Sequence, residues 1–124
     1  MVHDRRMVGA VGLRRGDIYI ARLDPVEGSE QAGTRPVVLV SRDIVHERGR
    51  NVIAVPLTTY RGQPLAPSNV LVSAGDGGLT QDSVALAEQV RVLSKTRLGR
   101  HWGAIAVATL EKIDHALKLA LDLE

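Results

Sequence analysis

Three kinds of side chain in this sequence could act on a charged substrate: the guanidinium of Arg35, the hydroxyls of Thr58 and Thr59, and the imidazole of His46. Arg35 stands between Thr34 and Pro36, and a residue that precedes proline is kept out of the helical region and held extended. A guanidinium on so stiff a backbone presents a planar fork of five donors that suits the oxygens of a phosphate or a carboxylate. Taken alone, the position fits an ordinary ion pair with Glu30 or Asp82 better than a binding site. Thr58 and Thr59 end a Val-rich run just before a segment rich in Gly and Pro. A hydroxyl there can donate to a phosphoryl oxygen, although threonine is favoured in strands for packing alone. Histidine has the best intrinsic pKa for proton transfer, but His46 lies on a short connection and reads as a surface residue. His3, His101 and His115 fall in a tail, a basic stretch and the polar side of a helix. No spacing of His, Asp and Glu resembles a metal site, and without cysteine there is no thiolate nucleophile and no Cys-based zinc site.

The elements that must position these residues belong to one ordinary globular domain. The chain has 124 residues, 44% hydrophobic and 24% charged, enough for a single core. Phe is absent and aromatic residues make up 2%, so Val, Leu, Ile and Ala must fill that core. Only Tyr19, Tyr60 and Trp102 could stack on nucleic-acid bases, which weakens the case for an aromatic RNA platform. Residues 1–12 read as a loosely ordered tail, with Met7 an alternative start, and residues 13–124 as the domain. The apolar run near the start is too short and Gly-broken for a signal peptide, and no stretch could span a bilayer; a cytoplasmic protein is expected. Net charge is +2, yet from Val90 to Trp102 there are Arg91, Lys95, Arg97 and Arg100 with no acidic residue. That run could face an anion or form a solvated rim.

Alternation of apolar and polar positions predicts a strand with one buried face over Asp17–Leu23. VEGSEQAGTR then reads as a loop of unusual length for a hairpin connection, and PVVLVS as a buried strand. Ser41 or Asp43 would cap a short helical turn that stops at Gly49. NVIAVPLTT is a third strand, in which Pro56 implies an edge or a bulge and a bend just before Thr58. After the loop YRGQPLAPS come a strand, NVLVS, a turn, AGDGG, and DSVALAEQVRVL, whose Val content reads as a long strand although its Ala, Leu and Glu could also support a helix. RLGRHWGAI carries no clear pattern. From Ala106 onward, Leu110, Ile113, Leu117, Ala120 and Leu121 recur at helical spacing, with Leu119 off the stripe, and this helix should cover one face of the sheet. No side-chain oxygen stands at its start, where Thr109 is the only nearby hydroxyl.

Read together, RGDIYIARLDPVEGSEQAGTRPVVLVS, VIAVPLTT and DSVALAEQVRVL resemble the MazF/PemK family of toxin endoribonucleases from toxin–antitoxin modules, with GSEQAGTRP the most specific piece. The resemblance implies a mainly β fold with helices: a curled antiparallel sheet of the SH3-like barrel type, as in CcdB, PemK and MazF, packed with a C-terminal helix. It further implies a homodimer, a MazE-like antitoxin as partner, and sequence-selective cleavage of single-stranded RNA without metal or other cofactor. The family's catalytic arginine falls on Arg35 and its catalytic threonine on Thr58. Ser29, Glu30 and Gln31 match a stretch that lines the RNA groove, Gln89 matches a glutamine of the fifth-strand motif, and Thr59 joins Thr58 as an RNA contact.

Metal-free cleavage uses the ribose 2′-OH as nucleophile, so it needs a proton acceptor, a proton donor and donors aimed at the charged phosphorane. Arg35 and Thr58 suit the last role. An arginine, with an intrinsic pKa above about 12, is a poor base, which leaves the base open among Arg35 in an unusual environment, Glu30 and water. The rivals are a CcdB-like toxin that grips gyrase and a silent homologue that only binds its antitoxin. A gyrase binder has no need of GSEQAGTRP paired with Thr58. Arg15-Gly16-Asp17, an adhesion tripeptide by spelling, opens a strand, and Asp76-Gly77-Gly78 is a turn rather than a phosphate loop. The loops 27–34 and 60–68 are the expected readers of RNA sequence.

Overall fold

A computed structural model describes residues 12–23, 28 and 33–124, and of residues 44 and 46 the backbone alone. β1 forms over Asp17–Leu23 as predicted. β2 is Gly33–Leu39 rather than PVVLVS: it starts within the expected loop, because Gly33–Arg35 pair with Ala21–Leu23, and stops before Val40. β3, Asn51–Thr59, again forms as predicted, with the short helix α1, Asp43–Arg48, between β2 and β3. Then follow β4 (Asn69–Val72), β5 (Ser83–Leu86), β6 (Arg91–Ser94), β7 (Leu98–Ala104) and the helix α2 (Val107–Leu121). The described strands pair antiparallel in the order β4-β5-β3-β2-β1-β7, with β6 also on β3, and the path does not close.

Chain connectivity requires the curl. β6 pairs with β3 and β7 with β1, on opposite sides of the β3-β2-β1 block, yet only the 3-10 turn Lys95–Arg97 separates them. In a flat sheet β6 and β7 would stand about 19 Å apart, from four spacings of about 4.8 Å. The four Cα steps from Ser94 to Leu98 reach about 14 Å at most, so the block must roll until its two sides approach.

Rolling gives the sheet two buried faces, and the two-residue period of each strand sorts its side chains between them. Ala21, Leu23, Val37, Leu39, Val52, Ala54 and Leu93 gather inside the curl with Leu13. Ile18, Val38, Val55 and Leu57 face the other way, where they meet Val70, Val72 and Ala85 and are covered by Ile113 and Ala116 of α2. β1 therefore feeds both clusters rather than burying one face. On α2 the burial stops early. Ala120 is exposed and Leu121 is 52% exposed, because the elements beneath the helix, β4 and the 3-10 turn Ala87–Gln89, end before them. Leu119, off the stripe, is exposed as expected.

Two long-range polar contacts fasten α2. Its N-cap is Ala106, with no side-chain cap, but Asp76 reaches over from the AGDGG turn. Its Oδ1 accepts the Ala106 amide at 2.8 Å and its Oδ2 accepts the Thr109 hydroxyl at 2.5 Å. A carboxylate there satisfies an otherwise unpaired amide and complements the helix dipole. Further along, Arg15 forms a two-pronged ion pair with Asp114 while its Nε donates to the Val40 carbonyl at 2.9 Å. The Arg-Gly-Asp spelling is thus a clamp between strand and helix.

Local expectations shift where tertiary contacts compete. Neither Ser41 nor Asp43 caps α1, whose N-cap is Arg42. The Ser41 hydroxyl accepts the Ile53 amide at 3.0 Å, and Asp43 accepts the Arg15 amide at 2.8 Å. DSVALAEQVRVL is two strands, not one, because Ala87–Gln89 turn as a 3-10 segment. The break lets β5 pair with the second half of β3 and β6 with the first. RLGRHWGAI contains β7, which pairs with β1 through two register shifts; those irregularities and its glycines hide it from a period-two reading.

Candidate active site

Arg35 reaches its place through β2. Gly33 opens the strand at φ +77, a conformation glycine adopts without strain, and Pro36 keeps Arg35 extended. Arg35 lies opposite Ala21 of β1 and shares the parity of Val37 and Leu39, so it stands half-buried on the inner face of the curl, beyond the last apolar residues. Thr58 shares the parity of Val52 and Ala54 and lies on that same face. β2 and β3 pair as Val37↔Pro56, Val38↔Val55 and Leu39↔Ala54. The paired register stops at Val37↔Pro56, so Arg35 and Thr58 stand two residues beyond it, on the same face of neighbouring strands.

Pro56 explains why β3 can serve the site. Its partner on one side changes from β6, at Asn51–Ala54, to β5, at Leu57–Thr59, and Pro56 stands at the changeover, where its missing N–H leaves no ladder bond unmade. The strand is interior toward β2 and interrupted on its other side, which satisfies the proline without making β3 an edge. Thr58 is half-buried and fixed by pairing with Val84 of β5.

The remaining predicted residues divide. Gln89 is half-buried in the 3-10 turn that joins β5 to β6 and touches β3, so it sits beside the changeover at Pro56. Thr59 points to the opposite face from Thr58, and its hydroxyl donates to Gln81 Oε1 at 3.2 Å. Ser29, Glu30 and Gln31 lie outside the described residues. The basic run does not make one face. Arg91 lies opposite Ala54 on the inner side of the curl, four residues along β3 from Thr58, whereas Arg97 donates to the Arg22 carbonyl at 3.2 Å. Among the described residues no three His, Asp or Glu side chains are grouped to hold an ion. Chemically, the site gathers donors and positive charge suited to a phosphate, at the rim of a dry cluster where such interactions strengthen.

A second polar constellation escaped the sequence reading. Tyr19 of β1 and His101 of β7 stack face to face, and His101 Nε2 lies 3.5 Å from a carboxylate oxygen of buried Asp17. The only signal was the basic stretch that contains His101; the bulged pairing that joins it to β1 is invisible in the sequence.

Known proteins agree with this architecture. The model of the PemK-like, MazF-like toxins of type II toxin-antitoxin systems matches residues 14–121. A mycobacterial endoribonuclease solved in complex with its cognate antitoxin is 32% identical, with 90% of this chain and 97% of that one covered at a TM-score of 0.74. The Mycobacterium tuberculosis toxin MazF-mt6 is 30% identical over 87% of this chain and 98% of its own, at a TM-score of 0.72. MazF from Deinococcus radiodurans shares the fold at 22% identity, with 90% and 97% covered and a TM-score of 0.76. The family match spans most of the chain, including both strands that carry Arg35 and Thr58, and the chain belongs to the PemK-like, MazF-like toxins of type II toxin-antitoxin systems.

Proposed function

We propose that this chain is a toxin endoribonuclease that cleaves single-stranded RNA at selected sequences, without metal, and is neutralised by a MazE-like antitoxin. The observation that carries this reading is that Arg35 and Thr58 share the inner face of the adjacent strands β2 and β3, just past the end of their paired register, which supports the two acting together on one phosphate. The ribose 2′-oxygen attacks the adjacent phosphorus and loses its proton; the 5′-oxygen leaves and gains one, so the products are a 2′,3′-cyclic phosphate and a 5′-OH. Arg35 and Thr58 donate to the equatorial oxygens of the phosphorane, where charge develops. Arg91 and Gln89 hold the strand on one side, and Ser29, Glu30 and Gln31 contact RNA around it. The working form is a cytoplasmic homodimer with the RNA groove formed partly across it. The acidic, flexible tail of the antitoxin folds into that groove on binding.

Incubation with long single-stranded RNA in EDTA, followed by mapping of both ends at each cut, tests the reading. Cuts bearing a cyclic phosphate and a 5′-OH, lost in Arg35→Ala, are expected. Intact RNA with the wild type, or undiminished cutting by Arg35→Ala, would leave only a protein-binding toxin.

A further inference from the structure

The chain has three aromatic side chains, Tyr19, Tyr60 and Trp102, and the fold brings two of them to the β7 edge of the sheet. The rings of Tyr19 and His101 stack with centroids 4.8 Å apart and planes 27° from parallel. His101 is oriented from a second direction as well: Nε2 lies 3.1 Å from the Gly103 carbonyl oxygen and 3.5 Å from Asp17 Oδ1. Both partners only accept, so Nε2 carries the hydrogen. Asp17 is 2% exposed and its Oδ2 accepts the Arg14 amide at 3.0 Å, which fixes the carboxylate that fixes the imidazole. With one ring face on Tyr19, the 43% exposure of the His101 side chain belongs to its other face and edge.

Beside this ring, Gly78, Thr80, Arg100, His101 and Trp102 line a recess of about 270 Å³. One wall depends on glycine. Gly78 has φ +81, and a Cβ there would lie 2.2 Å from the Trp102 carbonyl oxygen, so only glycine lets the turn rest on β7. Two aromatic groups, a hydroxyl and a guanidinium around one recess are the chemistry by which proteins take up an unpaired base and its phosphate.

We propose that this recess is a nucleotide subsite, in which a base of single-stranded RNA stacks on the open face of His101, its edge meeting the Thr80 hydroxyl, with the adjoining phosphate on Arg100. The inference rests on the RNA-cleaving reading and extends it. His101 lies opposite Tyr19, and Arg35 opposite Ala21. Two strand spacings and two residues of rise put them about 12 Å apart, so the recess serves a nucleotide that flanks the scissile one. Asp17 and Tyr19 are positioning residues.

Trp102 is the single tryptophan, so its fluorescence reports on the recess without any cleavage. The probe is a pool of random-sequence 2′-O-methyl oligonucleotides, whose blocked oxygens cannot attack. Saturable quenching is expected with the wild type, with affinity roughly tenfold weaker in His101→Ala, similarly weakened in Arg100→Gln, and largely restored in His101→Phe, which keeps a stacking ring. Arg100 is exposed, so Arg100→Gln remains a test if His101→Ala fails to fold. Wild type that cleaves RNA while Trp102 stays silent, or variants that bind as tightly as wild type, would overturn the subsite and leave the ribonuclease reading intact. Quenching dependent on His101 and Arg100 in a protein that cuts no RNA would support the subsite and remove the ribonuclease. Quenching by an acidic peptide but not by the oligonucleotides would assign the recess to a protein partner and overturn the proposal.

Discussion

The two buried faces of the curled sheet are built from the same aliphatic residues in alternating positions, yet they end differently. Under α2 the apolar cluster is closed: Ile113 and Ala116 cover it, Asp76 caps the helix start, and Arg15 holds Asp114 against the strands. Inside the curl the cluster is left open at its margins, and there the apolar residues give way to Arg35, Thr58, Arg91, Tyr19 and His101. One face holds the sheet in shape, and the other uses that shape to aim polar groups. Polar donors at the margin of a dry, rigid cluster lose little to reorganisation and keep their strength.

That contrast can be broken by substitution. The largest effect on stability is expected from Ile113→Ala, which empties a fully buried position beneath α2 and should cost about 2–5 kcal/mol in denaturant unfolding. Arg35→Ala should lower RNA cleavage by about 10²–10³-fold while leaving the melting temperature near the wild-type value, a separation that a mixed role would erase. Thr58→Val, measured the same way, should slow cleavage by about 10- to 100-fold, the loss of one hydrogen bond to a charged group. Thr59→Val on the opposite face, whose hydroxyl already has Gln81 as partner, should change it far less. Asp76→Ala should destabilise by about 1–2 kcal/mol through the lost helix cap, readable as a lower midpoint with unaltered cleavage below it. Smallest is Asp114→Ala, whose partly exposed ion pair is worth about 1 kcal/mol or less.

Much of the frame was legible because it rests on local rules. Alternation marked β1, the run NVIAVPLTT marked β3, and the period of α2 named Leu110, Ile113 and Leu117 as its inward side, while the start of β2 was read at Pro36, three residues after it begins. Arg35 was legible as a stiffened cation, and the GSEQAGTRP block carried the resemblance under which we propose a functional role for it. Arg91 was visible only as one charge in a basic run, since its direction depends on pairing with Ala54.

By itself, then, the sequence determined which segments extend or coil, which side of each strand is apolar, and the family to which the chain belongs, all consequences of neighbours a few residues apart. The tertiary structure decided what those neighbours cannot encode. The break at Ala87–Gln89 follows from β3 needing two partners around Pro56. Asp76 replaces the missing cap of α2 from 30 residues away. The bulged pairing of β7 with β1 sets His101 between Tyr19 and Asp17. In each case a polar group or a strand edge left unsatisfied by its own segment is satisfied by a distant one, and only the folded chain brings the two together.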